Sequence, residues 1–303
     1  MDRLAAIEAF AAVAETGSFS AAAARLRASK SAVSRLVSGL EAELGARLLH
    51  RTTRSLALTE AGRGYFERVT RILSDVDEAN RAVSHSQAAP RGKLRIAGPM
   101  SFGFLHLAPA LPDFLRQCPE VEIDLAMNDR FVDLIEEGFD IAVRIGALTD
   151  SSLVARRLAP IRLVACASPA YLAERGAPAT PGDLRAHECL INTNQPQPSH
   201  WRFGGPDGQI QSIEVKGRLS ANNGDALRVA ALNGFGITML PTFFVGGDLR
   251  AGALAQVLDD FMPRDHALSA VYPPSRHVSP KVRAFVDFLA RRFGPRPYWD
   301  AVE

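Results

Sequence analysis

Apolar residues recur at helical spacing along the first 44 positions. Leu4, Ile7, Phe10, Ala11 and Ala14 mark one stripe, predicting a helix over residues 4–14. "ETGSF" ends it, with Gly17 as a natural stop, and Ser18 or Ser20 can cap a second helix at "AAAARL". Arg27 to Ser29 then form a tight turn, with Ser29 placed to cap a third helix. The apolar residues of that helix are Val33, Leu36, Val37, Leu40 and Leu44. Two short helices joined this way predict a helix-turn-helix over about 19–38. Two short strands follow, Leu48 to Arg51 and Leu56 to Leu58, around a "TTRS" turn that forms a wing.

Residues 59–86 contain no proline. Their positions Phe66, Val69, Leu73, Val76, Asn80 and Val83 alternate in steps of three and four, a heptad seam that predicts a dimerising helix or one packed on its own domain. Asn80 on an a-type position can fix register and partner number. "SQAAPRG" (Ser86 to Gly92) reads as a hinge. From Lys93 strands and helices alternate. "KLRIAG", "VEIDLAM", "FDIAVRIG", "PIRLVACAS", "IEVKGRLSA", "GITMLP" and "LSAVYP" read as strands. "FLHLAPALPDFLRQ", "RFVDLIEEG", "GDALRVAALNG" and "PKVRAFVDFLARRF" read as helices. Alternation of this kind argues α/β with mostly parallel sheets.

The third helix presents a second face. Ser31, Ser34, Arg35 and Ser38 share one side and Lys30 lies at its leading end, although serine is a poor helix former. Short hydroxyls let a helix lie close to a surface and bond phosphates or base edges, and Arg and Lys contact guanine and phosphate. A solvated face with serines by chance is the competing reading. The wing adds Arg51 and Arg54, placed for phosphates or a minor groove.

Charge changes that balance. The whole chain carries a net charge of only +2, so global charge implies no polyanion partner. From Phe19 to Leu58, however, seven basic residues (Arg25, Arg27, Lys30, Arg35, Arg47, Arg51, Arg54) face two acidic ones (Glu41, Glu43). That local balance of +5 is the electrostatic footprint of a nucleic-acid binder. With 303 residues, two or three domains are expected. Asp2, Glu8 and Glu15 interrupt the N-terminus, so it offers no signal-peptide core, and no apolar run has the length of a membrane span. Three scattered cysteines (Cys118, Cys166, Cys189) suggest reduced thiols in a cytoplasmic protein, acting as small buried hydrophobes.

Phe10 to Gly62 resembles the winged helix-turn-helix of LysR-type transcriptional regulators, through "GSFS", "AVSR", "LE.ELG..L", "RTTR" and "LTEAG". Lys30 departs from the family pattern, where many members carry Gln. Further along, "DLIEEGFDIAVRIG", "ASPAYLAERGAP.TPGDL..HECL", "LNGFGITMLP" and "KVRAFVDFLARRF" resemble the family's effector-binding region. The resemblance covers nearly the whole chain. It implies a winged helix-turn-helix DNA-binding domain over 1–59, a linker and dimerisation helix with hinge over 60–89, and an effector-binding domain over 90–303. That last domain is expected to hold two α/β subdomains as in periplasmic binding proteins. Crossovers near Ile161 and Ala267 divide it into 92–161 plus 268–293 and 162–267. The resemblance also implies a homodimer or homotetramer on promoter DNA, a small-molecule effector in the cleft between subdomains, and contact with RNA polymerase.

Candidate DNA contacts are therefore Arg27, Ser29, Lys30, Ser31, Ser34, Arg35, Ser38, Arg51 and Arg54. Candidate effector contacts begin at "GPMSFG", where Met100, Ser101 and Phe102 open a helix able to hold an anion; simple capping by Ser101 explains the same residues. Arg144, at a strand end, faces either the cleft or a surface acid. His200, Trp201 and Phe203 cluster in "SHWRFGG", with Trp201 as core or cleft wall. Asn222 and Asn223 precede a helix that Asn223 can cap. "GFGI" lacks the rest of a dinucleotide fingerprint. No GxSxG, HExxH, P-loop or Cys/His cluster occurs, so no catalytic site, metal site or cofactor is expected. A solute-binding protein shares the two-lobed cleft but lacks a winged unit. An architectural DNA binder shares the winged unit but answers to no ligand.

Overall fold

The computed structural model describes residues 2–51, 56–84, 89–130, 132–146, 153–204, 209–274 and 278–300, with backbone alone for Arg51, Arg71, Ser74, Asp75 and 77–84. The chain divides into two compact units, Met1–Ala88 and Ala89–Glu303.

In the first unit, α1 (Arg3–Thr16), α2 (Phe19–Arg25) and α3 (Lys30–Leu44) are followed by the hairpin β1 (Leu49–Arg51) and β2 (Leu56–Leu58), and by α4 (Glu60–Ser84). Local chemistry sets the boundaries. Gly17 adopts φ +63°, a left-handed stop that closes α1. Ser18 Oγ accepts the Ala21 N–H at 3.4 Å and Ser29 Oγ the Ala32 N–H at 3.1 Å, so each serine caps the helix after it. α1 buries the expected Phe10 and Ala11 together with Ala6, Ala9, Ala12 and Val13, while Ile7 and Ala14 are half-buried and Leu4 is exposed. Small alanines let α1 approach α2 and α3 closely, a packing gain that outweighs the larger Leu4.

The seam of α4 is divided. Phe66 and Val69 pack in the core of the first unit, where Phe10 lies 5.6 Å from Tyr65 and 6.4 Å from Phe66 between ring centres. Those two positions are thus committed to the helix's own unit. Leu73 and Val76 remain half-buried on α4, while the side chains of Asn80 and Val83 and residues 85–88 of the hinge lie outside the described residues.

The second unit holds two five-stranded sheets. The first contains β3 (Gly92–Gly98), β4 (Val121–Met127), β5 (Ile141–Gly146), β6 (Val154–Pro160) and β14 (Ala267–Tyr272), in the order β4-β3-β5-β14-β6. The second contains β7 (Leu163–Ala167), β8 (Cys189–Asn192), β11 (Ser220–Ala221), β12 (Ile237–Pro241) and β13 (Ala255–Val257), in the order β11-β8-β12-β7-β13. A separate hairpin joins β9 (His200–Gly204) to β10 (Ile210–Glu214). The chain leaves the first sheet after Pro160, enters the second at Leu163, and returns to the first at Ala267.

The sheets are mixed rather than mostly parallel. In each, two pairings are parallel and two antiparallel. Topology requires this. The chain exits the first sheet along β6 and comes back at the same end along β14, so β14 must run against β6. The helix expected at "RFVDLIEEG" is also absent from the described residues. Residues 134–138 form turns: Asp133 Oδ1 caps their start by accepting the Ile135 and Glu136 N–H groups, and Gly138, at φ +69°, ends the segment after about one turn, where the Phe139 N–H donates to the Leu134 carbonyl. "IEVKGRLSA" splits between β10 and β11.

Helices cover the sheets. Met100–Phe102 (α5), a π-helical turn Gly103–Leu107, and Ala108–Gln117 (α6) run on as one segment, packed with α10 (Pro280–Phe293) against the first sheet. Leu94, Ile96, Val143 and Leu268 meet Phe114, Phe285 and Leu289 there. On the second sheet, Val164, Cys166, Leu190 and Leu240 meet Leu227 and Ala231 of α8 (Gly224–Leu232), and its other face packs on Tyr171 of α7 (Pro169–Arg175). The last described residues fold back onto the first lobe, where Trp299 is buried beside Phe102 and Phe293.

Candidate functional site

Two places gather the chemistry singled out in the sequence. The first is the outer face of α3. Val33, Val37 and Leu40 point inward and are fully buried. Their burial holds the helix without help from the opposite side, which carries Ser31, Arg35 and Ser38 exposed and Ser34 half-buried. Arg27, Ser29 and Lys30 are exposed at the leading end. Arg27 adopts φ +51°, so the turn between α2 and α3 is made in the left-handed region by a non-glycine residue. The Ser29 and Ser31 hydroxyls lie 3.0 Å apart, so Ser29 bonds Ser31 as well as the Ala32 N–H at the helix start.

The cations sort into two groups. Arg25 is tied to Glu15, while Arg27, Lys30, Arg35 and Arg47 make no ion pair among the described residues. The acids turn away: Glu43 pairs with Arg3 at 3.4 Å, and Glu41 is buried. Glu41 Oε1 accepts the Leu48 N–H at 2.8 Å and the Leu49 N–H at 3.1 Å, at the start of the wing. A count of charges treats Glu41 as a debit against the basic patch, although it is a structural acceptor. Its place one residue after inward-facing Leu40 was the available signal. The Arg51 side chain and all of Arg54 lie outside the described residues.

The second place lies where the two lobes of the C-terminal unit touch. β3 ends at Gly98, and Met100 and Ser101 begin the helical segment beyond it. Ser101, only 4% exposed, donates its hydroxyl to Asp225 Oδ2 at 2.6 Å and accepts from Asn223 Nδ2 at 3.2 Å. Asn223 serves two purposes, since its Oδ1 also caps α8 by accepting the Asp225 and Ala226 N–H groups. The Met100 N–H donates to Asp129 Oδ1 at 2.9 Å. Both helix starts at this junction are thus met by acceptors from the chain itself. Asn222, exposed, offers its carbonyl to Asn194 Nδ2 across the second lobe. Asp129, Asn194 and Asp225 were absent from the sequence-derived set. Each sits at a strand end or a helix start, the positions where ligand-facing groups concentrate in open sheets.

The remaining candidates are placed elsewhere. Phe102 is fully buried, with its ring 5.1–5.6 Å from those of His106, Phe243, Phe293 and Trp299. Trp201 and Phe203 point into the core of the second lobe with Tyr171, Leu184 and Val215. His200 alternates outward on the same strand. Arg144 sits two residues after Ala142 on β5, and Ala142 packs with Ala97, Val132 and Leu134 on a different sheet face from the Phe102 cluster. Its guanidinium donates to the Val132 carbonyl at 2.9 Å. Burial pulls its pKa below the usual arginine value, and the Asp133 carboxylate acts in the opposite sense.

Other ionisable groups fit packing roles. Burial pushes the Cys166 and Cys189 thiols up to about 12, so both remain neutral at physiological pH. His106 lies between the Tyr298 hydroxyl (2.6 Å) and the Phe243 carbonyl (3.4 Å), and burial lowers its pKa. Among the described residues no group of three or more His, Cys, Asp or Glu could hold a metal ion, and no helix is long and apolar enough to cross a membrane.

Comparison with known proteins assigns families to both units. Residues 4–63 match the family model described as bacterial regulatory helix-turn-helix protein, lysR family, and residues 87–294 match the LysR substrate binding domain. An HTH-type transcriptional regulator of Haemophilus influenzae is 39% identical over 282 residues, spanning 93% of this chain and 98% of the relative. Another, from Xanthomonas campestris pv. campestris, is 41% identical over 286 residues, spanning 93% of this chain and 83% of the relative. Among solved structures, that of CrgA, a LysR-type transcriptional regulator from Neisseria meningitidis, aligns with a TM-score of 0.60 at 36% identity, covering 96% of this chain and 98% of that one.

Proposed function

The chain belongs to the LysR family of DNA-binding transcriptional regulators, and from that premise we propose how its residues divide the work. It is a regulator and not an enzyme, with a helix-turn-helix unit for DNA and a substrate-binding domain for an effector. In this reading residues 1–59 bind DNA, 60–89 form the linker and dimerisation helix with its hinge, and 90–303 answer to the effector. Helix α3 enters the major groove and reads bases through Arg35, Ser34, Ser38 and Ser31. Lys30, Arg27 and Ser29 hold phosphates at its leading end. Arg51 and Arg54 on the wing grip the adjacent backbone or minor groove.

Two or four copies act together in the cytoplasm, joined through α4 by Leu73, Val76, Asn80 and Val83, and they address promoter DNA and RNA polymerase. A C2 dimer offers two recognition helices to a two-fold-related site. The effector acts where the lobes meet, at Ser101, Asn223, Met100 and Asn222 with Asp225 and Asp129. A molecule that displaces Asp225 from Ser101 changes how the lobes close. That change is a differential interaction with two states, which any ligand-driven shift requires.

The observation carrying this reading is the outward face of α3, polar and cationic, with both nearby acids turned away. The test is selection of duplexes from a random library by the full-length chain, then footprinting on the selected duplex with a panel of small metabolites. The reading expects protection with two-fold symmetry, altered by at least one metabolite. Protection that no ligand changes would favour the architectural binder instead.

A further inference from the structure

The backbone of residues 47–49 is clamped from two sides. From the recognition helix, the Glu41 carboxylate accepts the Leu48 and Leu49 N–H groups. From the residue that immediately precedes the linker helix, Thr59 N–H donates to the Leu48 carbonyl at 3.0 Å, and Thr59 Oγ1 donates to the Arg47 carbonyl at 2.7 Å. The same Thr59 Oγ1 accepts the Gly62 N–H at 2.8 Å, in the first turn of α4. Gly62 presses so near that an added Cβ would stand 2.0 Å from the Leu48 carbonyl oxygen. Both neighbours are backbone, so no side-chain motion relieves that contact. Three elements therefore share one short peptide segment. The recognition helix holds its donors, the linker helix its acceptors, and the wing strand β1 starts from it.

A buried acid one turn before the end of α3 needs a reason. Glutamate is rarely buried without a partner, and here its partners include the two backbone donors at the wing's first residues. An apolar residue in its place would leave those donors unsatisfied. The position thus serves the joint between reading helix and wing more than the helix itself.

We propose that Glu41 is a positioning residue that sets the wing against the recognition helix, and that Thr59 and Gly62 make this joint follow the linker helix. The inference rests on the reading that α3 and the wing both contact DNA. It gives the motion of the effector unit a route to the wing, since a displaced α4 pulls on the carbonyls of the segment whose N–H groups α3 holds.

The experiment uses the full-length chain, a duplex selected by the wild-type chain, and a random duplex of equal length. Guanine N7 protection reports the recognition helix and hydroxyl-radical cleavage reports the wing. Glu41→Ala should bind the selected duplex about 10-fold more weakly and lose the wing's hydroxyl-radical protection. Its salt slope should fall by ~1, as for one lost phosphate contact, while N7 protection persists at saturating protein. Glu41→Gln keeps the accepting oxygen and should stay within about 3-fold of wild type with the wing footprint intact. If Glu41→Ala fails to fold, as judged by helical circular dichroism, Glu41→Asp keeps the charge on an arm one methylene shorter and should lose the wing footprint. Wing protection and salt slope unchanged in a folded Glu41→Ala or Glu41→Asp would overturn the proposal, as would Glu41→Gln matching Glu41→Ala. A wild-type chain without wing protection would instead overturn the reading on which the proposal rests.

Discussion

Consider the double substitution Ser101→Ala with Asp225→Ala. The hydroxyl-to-carboxylate bond between them measures 2.6 Å and spans 124 residues of sequence, joining the two lobes of the C-terminal unit. Hydrogen bonds to a charged group contribute about 1.5–3 kcal/mol. Ser101 is almost fully buried, but Asp225 keeps part of its surface in water. Solvent screening on that side places the coupling at the lower end, about 1–2 kcal/mol. Asn223 Nδ2 still approaches the Ser101 oxygen in the Asp225→Ala chain, whereas Ser101→Ala removes both bonds, so neither single variant isolates the pair. A double-mutant cycle isolates the pair. The assay is chemical denaturation of the full-length chain followed by tryptophan fluorescence. Both tryptophans, Trp201 and Trp299, lie in the C-terminal unit, so the signal reports that unit alone. The cycle should give a coupling near 1.5 kcal/mol within the range above. Additivity within about 0.3–0.5 kcal/mol would mean that the bond does not join the lobes in solution.

Two further outcomes follow from burial. Phe203→Ala should destabilise the C-terminal unit by about 3–5 kcal/mol, as for a fully buried core phenylalanine; an undisturbed midpoint in the same denaturation assay would return Phe203 to the ligand-contact set. His106 is held neutral by its burial, so its folded pKa lies below its unfolded one. The folded state then disfavours the proton that the unfolded state takes up. Its contribution is complete above about pH 6.5 and is lost as pH falls through that value towards the lower folded pKa. Melting temperatures at pH 7.5 and 5.5 should therefore separate more for wild type than for His106→Gln, and equal separations would refute the assignment.

The N-terminal unit was legible because its signals are local. Ser18, Ser29 and Gly17 act within four residues of themselves, and the period of Val33, Val37 and Leu40 needs no partner to be read. The buried face of α1 was only partly legible, because the burial of Ala6, Ala9 and Ala12 depends on how closely alanines let helices approach. The heptad seam left two readings open for the same reason: Phe66 and Val69 fit a dimer stripe and a domain core equally well until Phe10 is placed beside them. In the C-terminal unit the strands were mostly found, yet their directions follow from two chain crossings that no local pattern encodes. The site followed this division. Asn223 as a cap was readable from "NNGD". Its bond to Ser101 joins positions 122 residues apart and was not. Trp201 reads as core or cleft wall from sequence, and two-residue alternation sends both it and Phe203 inward to the core.

If the outer face of α3 reads base sequence, Arg35 is the side chain whose loss shows it. Arg35→Ala should bind a duplex selected by the wild-type chain about 5- to 150-fold more weakly, the 1–3 kcal/mol expected of a base contact. Binding to a random duplex at the same salt should fall far less. Equal loss on both duplexes would show that Arg35 serves only the phosphate backbone and would contradict the claim.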